Sequence, residues 1–374
     1  MSQQQLRITH LVENLERGGL ERVVIDLALE QVAQGLKVQV ICLFSEGLLA
    51  RELVAAGIPV IACNKVRGFD WRAVGKIRAL LRNHKTQILH SHNPIPNYYG
   101  VLASLFINGL TVVNTRHGMG NAPFNVRLEL LYRISLVRTA LVAMVCESAR
   151  LNFIQHRIVA RTKAKVVPNG IRLSLFRPYS ENTHGSTLAA LNLSEDSLCI
   201  VNVGRLNPVK DHATLLHAMV HVSATVRNAV LVIVGGGKLQ RELEALTKKL
   251  GIENAVRFLG DRDDVKSLLP GFNIFVLSSL SEGYSISLLE ACASALPIIA
   301  TDVGGNAEIV KPGINGMLVE PSRAQLMANA IIKLARDPNL RIEMGQRGRE
   351  WVETNGTVEI MAQRYMELYC GALQ

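Results

Sequence analysis

The sequence predicts an α/β protein made of two Rossmann-like domains, each a doubly wound parallel sheet. The first observation is a series of short apolar runs without polar alternation, which is typical of strands buried on both faces. The second is that helix-length amphipathic segments separate these runs, as in βαβ units. The third is a polar stretch at residues 177–197, which divides the runs into two series and predicts a linker.

Six strands are expected in each domain. The first series consists of LRITHLV, VQVICLF, IPVIAC, QILHSH, TVVNT and ALVAMVC, and the second of SLCIVNVG, AVLVIVG, AVRFLG, NIFVLSS, LPIIAT and NGMLVE. Helical segments such as GLERVVIDLALEQVAQG and ATLLHAMVHVSA lie between them. We expect the domains to span residues 1–177 and 178–355, with a C-terminal helix at 356–374 packing back on the first. Ligands of such sheets bind at the carboxyl ends of the strands.

Composition narrows the class of protein. The chain has 374 residues, 48% hydrophobic and 19% charged, which suits two packed domains and argues against disorder. No apolar run reaches the roughly 18 residues that span a bilayer, and MSQQQLRITH lacks the pattern of a signal peptide. The six cysteines lie far apart, which favours reduced thiols over disulfides or zinc. We therefore expect a cytoplasmic protein.

The two halves differ in charge. Residues 1–177 hold 23 Lys and Arg against 10 Asp and Glu, whereas residues 178–374 hold 18 against 21. The net charges of +13 and −3 sum to the +10 of the whole chain. A basic first half indicates an anionic partner, and nucleic acid, an anionic membrane surface and a phosphorylated acceptor all fit.

Glycines follow the first strand. Gly18 and Gly19 open a helix, so its bare N–H groups are placed to face an anion, although a plain glycine turn explains them as well. Neither this stretch nor VGGGKLQ at 234–240 matches the G-x-G-x-x-G dinucleotide fingerprint. The sequence therefore argues against a nicotinamide enzyme.

The loop VGRLNPVKD follows the first strand of the second domain. Arg205 and Lys210 flank a turn that leads into a helix, for which Asp211 is the expected cap. A guanidinium and an ammonium beside a helix N-terminus suit a diphosphate, but two solvated loop cations remain the alternative.

Two carboxylates stand eight positions apart in SSLSEGYSISLLEACASALP, residues 278–297. Glu282 precedes Gly283, which permits close backbone approach; alternatively, Ser279 to Glu282 fits a capping box. Glu290 lies in a small, apolar helix that we expect to be buried. A buried carboxylate needs hydrogen-bond donors, and vicinal ribose hydroxyls supply two; an internal salt bridge is the alternative.

These residues carry a family resemblance. Residues 281–310, SEGYSISLLEACASALPIIATDVGGNAEIV, contain an E-x7-E motif and strongly resemble the family 4 retaining glycosyltransferases of GT-B fold. RGGLERVV, TRHG, VPNGI and VGRLNPVKD stand in the order that this family shows. The resemblance covers nearly the whole chain. It implies two Rossmann-like domains that face each other across a cleft, the first binding the acceptor and the second the nucleotide sugar.

The resemblance also implies roles for individual residues. Glu290 binds the nucleotide ribose, Glu282 the donor sugar, and the Leu259 loop the base through its backbone. The implied catalytic residues are His117, Arg205, Lys210 and Glu282. The implied donor-binding residues are Gly18, Gly19, Arg205, Lys210, Leu259, Glu282, Gly283, Tyr284, Ser285, Ile286, Ser287 and Glu290. Weaker candidates for the acceptor are His92, Asn93 and Arg116. Many members have Phe-Gly-Leu-Pro where this chain has Tyr284 to Ser287, so the choice of donor stays open.

The expected activity is transfer of a hexose-type sugar, with retention, from a UDP- or GDP-sugar to a glycan or polyprenyl-linked acceptor, in surface or extracellular polysaccharide assembly. Arg205, Lys210 and backbone amides stabilise the leaving diphosphate, and His117 positions the donor sugar. Alternatives are a sugar-nucleotide epimerase, a transferase with a small acceptor, or a non-catalytic module that binds nucleotide or an anionic polymer. Aromatic residues make up only 5%, which argues against single-stranded nucleic acid.

We expect no metal and no cofactor. His90 and His92 share one face of a strand but have no carboxylate or cysteine companion nearby in sequence. Asp261 and Asp264 lie in DRDD, where capping of the next helix explains them. The implied family does not need a metal to hold the diphosphate.

A basic segment at residues 65–85 is the candidate membrane contact. It carries seven Lys and Arg against one Asp, with Phe69 and Trp71 near the start of its helix. Each basic residue near an anionic surface contributes about 1 kcal/mol. An ordinary amphipathic helix that covers the sheet is the alternative.

Overall fold

The computed structural model describes residues 6–120 and 126–374, which form two compact units. The first unit contains the chain up to Gly170 together with Val358–Gln374, and the second contains Ile171–Thr357. The expected boundaries were residues 177 and 355.

The first unit is a parallel sheet with helices on its faces. Its strands are Arg7–Val12 (β1), Lys37–Cys42 (β2), Val60–Ala62 (β3), Ile88–His92 (β4), Thr111–Arg116 (β5), Thr139–Met144 (β6) and Ala164–Val166 (β7). Its helices, before the chain enters the second unit, are Gly19–Ala33 (α1), Ala50–Ala55 (α2), Trp71–Asn83 (α3), Pro94–Ser104 (α4), Val126–Ser135 (α5) and Glu147–Gln155 (α6). In the described residues the strand order is β3-β2-β1-β4-β5-β6-β7, all parallel.

The second unit repeats this plan. Its strands are Leu198–Val203 (β8), Ala229–Val234 (β9), Val256–Gly260 (β10), Ile274–Leu277 (β11), Ile298–Thr301 (β12) and Gly316–Val319 (β13). Its helices are Glu181–Ala190 (α7), His212–Thr225 (α8), Gln240–Lys249 (α9), Val265–Leu268 (α10), Ile286–Ala293 (α11), Asn306–Ile309 (α12), Ala324–Arg336 (α13) and Pro338–Asn355 (α14). The order β10-β9-β8-β11-β12-β13 reverses at β8, which is the doubly wound arrangement.

The last helix, Val358–Leu373 (α15), returns to the first unit. It packs on α1, and its buried side chains include Tyr365 and Tyr369. The Tyr365 hydroxyl bonds Thr115 of β5 at 3.0 Å, and the Tyr369 hydroxyl bonds His90 of β4 at 2.8 Å. The C-terminal helix therefore contributes polar groups to the interior of the first unit.

The twelve predicted strands are confirmed, and two local expectations are wrong. The stretch 177–197 is not a plain linker, because α7 forms within it with Ser180 and Thr183 as a reciprocal capping box. The short strand β7 was not predicted, since only three residues pair with β6.

The basic segment 65–85 contains an amphipathic helix. Asp70 caps α3 by accepting hydrogen bonds from the backbone N–H groups of Arg72 and Ala73. Val74, Ile77 and Leu81 are buried in the core under the sheet, which explains the apolar stripe. Among the described residues, no helix is both long and apolar enough to cross a membrane.

Candidate functional site

Arg205 and Lys210 lie at the carboxyl end of β8, in the loop that leads into α8. The Asn207 side chain accepts a hydrogen bond from the Lys210 N–H at 3.2 Å. Asp211 caps α8 as predicted: it adopts a left-handed conformation, and its carboxylate accepts from the Thr214 hydroxyl at 2.7 Å. Arg205 is exposed, and within the described chain no carboxylate pairs with its side chain. The guanidinium is therefore accessible to a ligand.

Glu282 lies in the loop after β11, the strand that pairs with β8 in the sheet, and forms an ion pair with Lys210. Lys210 Nζ is 2.5 Å from Glu282 Oε1, and the side chains are only 21% and 11% exposed. Ser279 donates to the same oxygen at 2.5 Å. The capping-box interpretation of these two residues is wrong, because α11 begins later, at Ile286. The predicted phosphate cation and the predicted sugar-binding acid are thus direct neighbours.

Backbone hydrogen bonds hold the two loops together. The Leu280 N–H donates to the Val209 carbonyl at 2.8 Å, and the Ser278 hydroxyl donates to the Lys210 carbonyl at 2.8 Å. The Gly283 carbonyl accepts from the Gly305 N–H at 3.0 Å. Loops from β8, β11 and β12 therefore fix the position of the carboxylate.

Helix α11 starts beside this ion pair. Ser285 precedes it without a side-chain cap; the Ser285 and Ser287 hydroxyls bond each other at 3.0 Å. The N-cap residue therefore makes no side-chain hydrogen bond to the first N–H groups of the helix, which are the groups that a helix N-terminus can offer to an anion. Tyr284, in the loop before the helix, is buried. Glu290 is partly exposed, whereas the sequence predicted a buried carboxylate.

Leu259 occupies a bulge in the edge strand β10. The pairing with β9 passes from Phe258 to Gly260 and skips Leu259. A bulge leaves the backbone of the extra residue out of the ladder, where it can bond a ligand. Asp261, two residues after Leu259, accepts a hydrogen bond from the Gly236 N–H at 2.7 Å. The helix-cap interpretation is therefore wrong for Asp261, and Asp264 has no cap bond either, since it pairs with Arg262.

In the first unit, Gly18 and Gly19 form the start of α1. Gly18 is extended, and as the N-cap residue it makes no side-chain hydrogen bond to the helix. Glu13 and Glu21 lie near this turn. Burial, together with the charge of Glu21, raises the pKa of Glu13. An anion at this turn meets carboxyl groups as well as backbone donors.

His117 follows β5 and bonds a row of buried histidines. His117 Nε2 is 3.0 Å from His92 Nδ1, and His92 Nε2 is 3.1 Å from His10 Nδ1. His10 Nε2 is 2.8 Å from the Gln31 side-chain oxygen. His117 Nδ1 is buried and, in the described residues, has no hydrogen-bond partner. The sequence suggested His92 and His117 separately; His10 and Gln31 were missed.

Burial keeps these imidazoles neutral. It lowers the pKa of His10 to about 4, despite the hydrogen bond to Gln31. Burial, aided by the charge of Arg116, lowers the pKa of His117 to about 3. The pKa of His90 and that of His92 are also lowered well below the usual value by burial.

His10, His90 and His92 offer ring nitrogens that lie within 4.8 Å of one another, a spacing that would suit a metal. Every one of these nitrogens is within hydrogen-bond distance of a protein group. His90 bonds the hydroxyls of Tyr369 and Thr115 at 2.8 and 2.7 Å. The three histidines are therefore members of a hydrogen-bond network within the first unit.

The three acceptor candidates, His92, Asn93 and Arg116, lie at or beside the carboxyl ends of β4 and β5. His92 is buried, and its two ring nitrogens bond His117 and His10. Asn93 has a left-handed backbone and accepts from the His117 N–H at 3.2 Å. The Arg116 guanidinium lies between the rings of Tyr132 and Phe153, 4.6 Å from each centroid. Its Nη1 has no hydrogen-bond partner in the part of the chain that is described.

The first unit also exposes apolar side chains. Helix α5 and the turn after it present Leu130, Leu131, Ile134 and Val137, all more than two-fifths exposed. On α3 and the turn before it, Val66, Phe69 and Trp71 are exposed as well. Helix α4 packs against both α3 and α5, so these helices form one layer on the sheet. The sequence singled out Phe69 and Trp71 near α3 and missed both Val66 and the stripe on α5.

Two family models match this chain. One, described as Glycosyltransferase Family 4, matches residues 17–175, and the other, Glycosyl transferases group 1, matches residues 187–351. The first model lies in the first unit with a few residues beyond it, and the second lies within the second unit.

Curated relatives carry related names. The UDP-Gal:alpha-D-GlcNAc-diphosphoundecaprenol alpha-1,3-galactosyltransferase of Escherichia coli is 27% identical over 294 residues, 76% of each chain. The N-acetyl-alpha-D-glucosaminyl L-malate synthase of Bacillus anthracis is 27% identical over 318 residues, 82% of this chain and 80% of the relative.

Among solved structures, Anabaena HepE in complex with UDP and glucose matches with a TM-score of 0.86 at 22% identity, over 98% of this chain and 100% of that chain. This likeness confirms the fold, which is that of the GT-B enzymes. Since the two family models between them account for both Rossmann-like units, the chain belongs to the family 4 glycosyltransferases.

Proposed function

We propose that this glycosyltransferase moves a hexose-type sugar, with retention, from a UDP- or GDP-sugar to a glycan or lipid-linked acceptor. Binding of the donor is supported by the side chains at the carboxyl ends of β8 and β11. There the Lys210–Glu282 ion pair, Arg205 and the uncapped start of α11 lie on loops that bond each other.

The donor is bound group by group. Arg205, Lys210 and the first N–H groups of α11 hold the diphosphate, since guanidinium, ammonium and helix N-termini all favour phosphate. The partly exposed carboxylate of Glu290 accepts from the ribose hydroxyls. The bulged backbone at Leu259 contacts the base, and Glu282 accepts from hydroxyls of the sugar.

Charge development explains the arrangement. As the bond between sugar and phosphate breaks, negative charge grows on the leaving diphosphate. Cations and backbone donors that are already in place stabilise that charge, and removing one such donor typically costs about 10²–10³ in rate. The acceptor attacks from the leaving-group face, and the phosphate oxygen takes its proton. Neither a metal nor a pair of glycosidase-type carboxylates is needed in this scheme.

The acceptor is proposed to be lipid-linked. The Escherichia coli relative is named for a diphosphoundecaprenol acceptor, and another, from Corynebacterium glutamicum, for a phosphatidylinositol monomannoside. In this chain the exposed apolar side chains of α5 and of the turn before α3 accompany the +13 charge of residues 1–177. Apolar side chains flanked by cations suit an anionic membrane surface, so the enzyme would work at the cytoplasmic face of the membrane.

A donor panel tests the reaction. The purified protein is incubated with UDP- and GDP-sugars and a polyprenyl-diphosphate-linked sugar, with and without EDTA, and the anomeric configuration of the product is determined by NMR. One donor should give an α-linked product, and EDTA should not reduce the rate. Hydrolysis or epimerisation without transfer, or inversion, would contradict the proposal.

Vesicle binding tests the membrane contact separately. The unmodified protein should sediment with vesicles of anionic lipid and not with neutral ones. Replacing Leu130 and Ile134 by serine should weaken that binding, whereas replacing Leu326 and Ile342, exposed apolar residues of the second unit, should leave it unchanged. Equal binding of both double variants would show that α5 does not contact the membrane.

A further inference from the structure

A buried row of hydrogen bonds leads through the first unit to His117. It runs from the amide of Gln31 on α1 to His10 on β1, then to His92 at the end of β4, and then to His117. The donor-acceptor distances are 2.8, 3.1 and 3.0 Å, and the Gln31, His10 and His92 side chains are buried. The row links the interior of the sheet to its carboxyl end.

The direction of every proton in the row follows from the first bond. The Gln31 oxygen only accepts, so His10 carries its proton on Nε2 and its Nδ1 is an acceptor. His92 must then donate from Nε2 to His10, which leaves His92 Nδ1 to accept from the Nε2–H of His117. A neutral imidazole has one proton, so His117 Nδ1 is left with a lone pair.

A second row of hydrogen bonds starts from the other end of the Gln31 amide. The Gln31 amide nitrogen donates to the Tyr369 hydroxyl at 3.2 Å, and that hydroxyl bonds His90 Nδ1 at 2.8 Å. His90 Nε2 bonds the Thr115 hydroxyl at 2.7 Å. With the amide in this orientation, Tyr369 donates to His90, and His90 also carries its proton on Nε2. Tyr369 of α15 is thus the hydrogen-bond partner of the amide from which the histidine row starts.

We propose that Gln31, His10 and His92 are positioning residues that hold His117 in the Nε2–H form, so that its Nδ1 accepts a hydrogen bond from a hydroxyl of the bound sugar. The buried Nδ1 has no partner among the described residues, and leaving such an atom unsatisfied is costly. A sugar hydroxyl supplies the missing donor. The identity of that ligand rests on the proposed function, but the proton arrangement does not.

The proposed proton arrangement requires every histidine in the row to be neutral. A charged imidazolium donates from both nitrogens, so a single protonated member would break the row. Complete burial opposes that charge in His10, His90 and His92. At His117, burial opposes the charge first and the neighbouring Arg116 guanidinium adds to the effect, so the pKa of His117 is lowered.

The first test needs no ligand. The full chain is labelled with ¹⁵N-histidine, and two-bond ¹H–¹⁵N spectra report which ring nitrogen carries the proton at pH 7.5. The expected result is the neutral Nε2–H form for His10, His92 and His117, assigned by single His→Gln variants. A His117 with the proton on Nδ1, which an oppositely oriented Gln31 amide would produce, overturns the proposal. So does a stoichiometric metal ion found in the purified protein by elemental analysis.

A pair of variants at one position separates positioning from packing. Gln31→Glu keeps an acceptor for His10, so the Nε2–H forms should persist. Gln31→Leu removes the acceptor, so the row is free to reverse and place a proton on His117 Nδ1. The control Gln39→Leu removes another buried amide of the first unit, which bonds Thr9 at 2.9 Å outside the row. Its spectrum should match that of the unmodified protein.

Turnover of the donor identified by the panel gives the functional readout. One neutral hydrogen bond corresponds to a loss of about three- to tenfold in kcat/KM, expected for Gln31→Leu and restored in Gln31→Glu. Equal losses in both variants, with unchanged tautomers, would reduce Gln31 to a structural role. If no donor turns over, the proposed function fails while the spectra still decide the proton arrangement.

Discussion

Replacing Lys210 by methionine should weaken nucleotide binding through the loss of a phosphate contact. Methionine keeps the length of the side chain and removes its charge. Lys210 pairs with Glu282 at 2.5 Å in the second unit, so the substitution also leaves a carboxylate without its cation. Loss of the phosphate contact weakens nucleotide binding, whereas the unpaired carboxylate lowers the unfolding free energy. The substitution Glu282→Gln separates these two effects.

The magnitudes follow from burial and charge. Exposed ion pairs contribute about 0–1 kcal/mol, and removing one partner of a fully buried pair costs about 3–5 kcal/mol. With side chains 21% and 11% exposed, the Lys210→Met variant should lose about 2 kcal/mol of unfolding free energy. A charged hydrogen bond to phosphate is worth about 1.5–3 kcal/mol, so the Kd of the nucleoside diphosphate should rise about 10- to 100-fold.

Calorimetry with UDP and GDP, together with urea unfolding, measures both quantities. Glu282→Gln in the Lys210→Met background removes the unpaired charge, so stability should recover while binding stays weak. Glu282→Gln alone should bind UDP or GDP about as tightly as the unmodified protein, because these ligands lack the sugar. Lys248→Met, at the exposed far end of α9, is the matched control and should change neither quantity.

Unaltered affinity in Lys210→Met would refute the phosphate assignment and leave Lys210 as a structural partner of Glu282. Equal loss of UDP binding in Glu282→Gln would show instead that the carboxylate shapes the whole loop.

Three further predictions concern single features. Glu290→Gln should raise the Kd for UDP about tenfold without a comparable loss of stability, since the side chain is partly exposed; equal affinity in calorimetry would exclude the ribose contact. Gly237→Ala should lower the urea midpoint more than Gly251→Ala, because the new Cβ would lie 2.3 Å from the Leu206 carbonyl oxygen, whereas nothing lies within 4 Å at Gly251. The unfolding free energy should decrease as the pH is lowered from about 6.5 to 4, because burial lowers the pKa of His10 to about 4 and the unfolded chain binds a proton in this range that the native chain does not. Each such group adds a slope of about 1.4 kcal/mol per pH unit. Unfolding free energies from urea titrations that do not change across this range would contradict the prediction.

The fold was predictable because its signals are local and redundant. Each buried parallel strand is a run of apolar residues, and β8 to β13 were all identified from such runs. The cap at Asp211 needed only a residue of suitable chemistry before a helix. Helix α7 was missed because its exposed, polar composition resembles that of a linker, and its capping box was the available signal.

The candidate site was predictable only in part. Loops after strands assemble at one sheet edge, so Arg205, Lys210 and Glu282 were found from their positions after β8 and β11. Their pairing was not predictable, since 72 residues separate Lys210 from Glu282. The hydrogen bond between Gln31 and Tyr369 joins residues 338 positions apart, and the sequence shows only that each is a polar residue on a helix face that is otherwise apolar. Their contact was therefore not predictable.

The second unit contains a smaller version of the same proton arrangement. The amide nitrogen of Asn202 on β8 donates to the Val276 carbonyl at 2.8 Å, so its oxygen accepts from His212 Nε2 at 2.9 Å. His212 Nδ1 is buried and, among the described residues, unpartnered; burial and the charge of Lys210 lower the pKa of His212 to about 4. A carbonyl can only accept, so this amide has one orientation. The Gln31 amide of the first unit is oriented by a tyrosine hydroxyl, which both donates and accepts. The tautomer of His117 therefore depends on α15, whereas that of His212 is fixed within its own sheet.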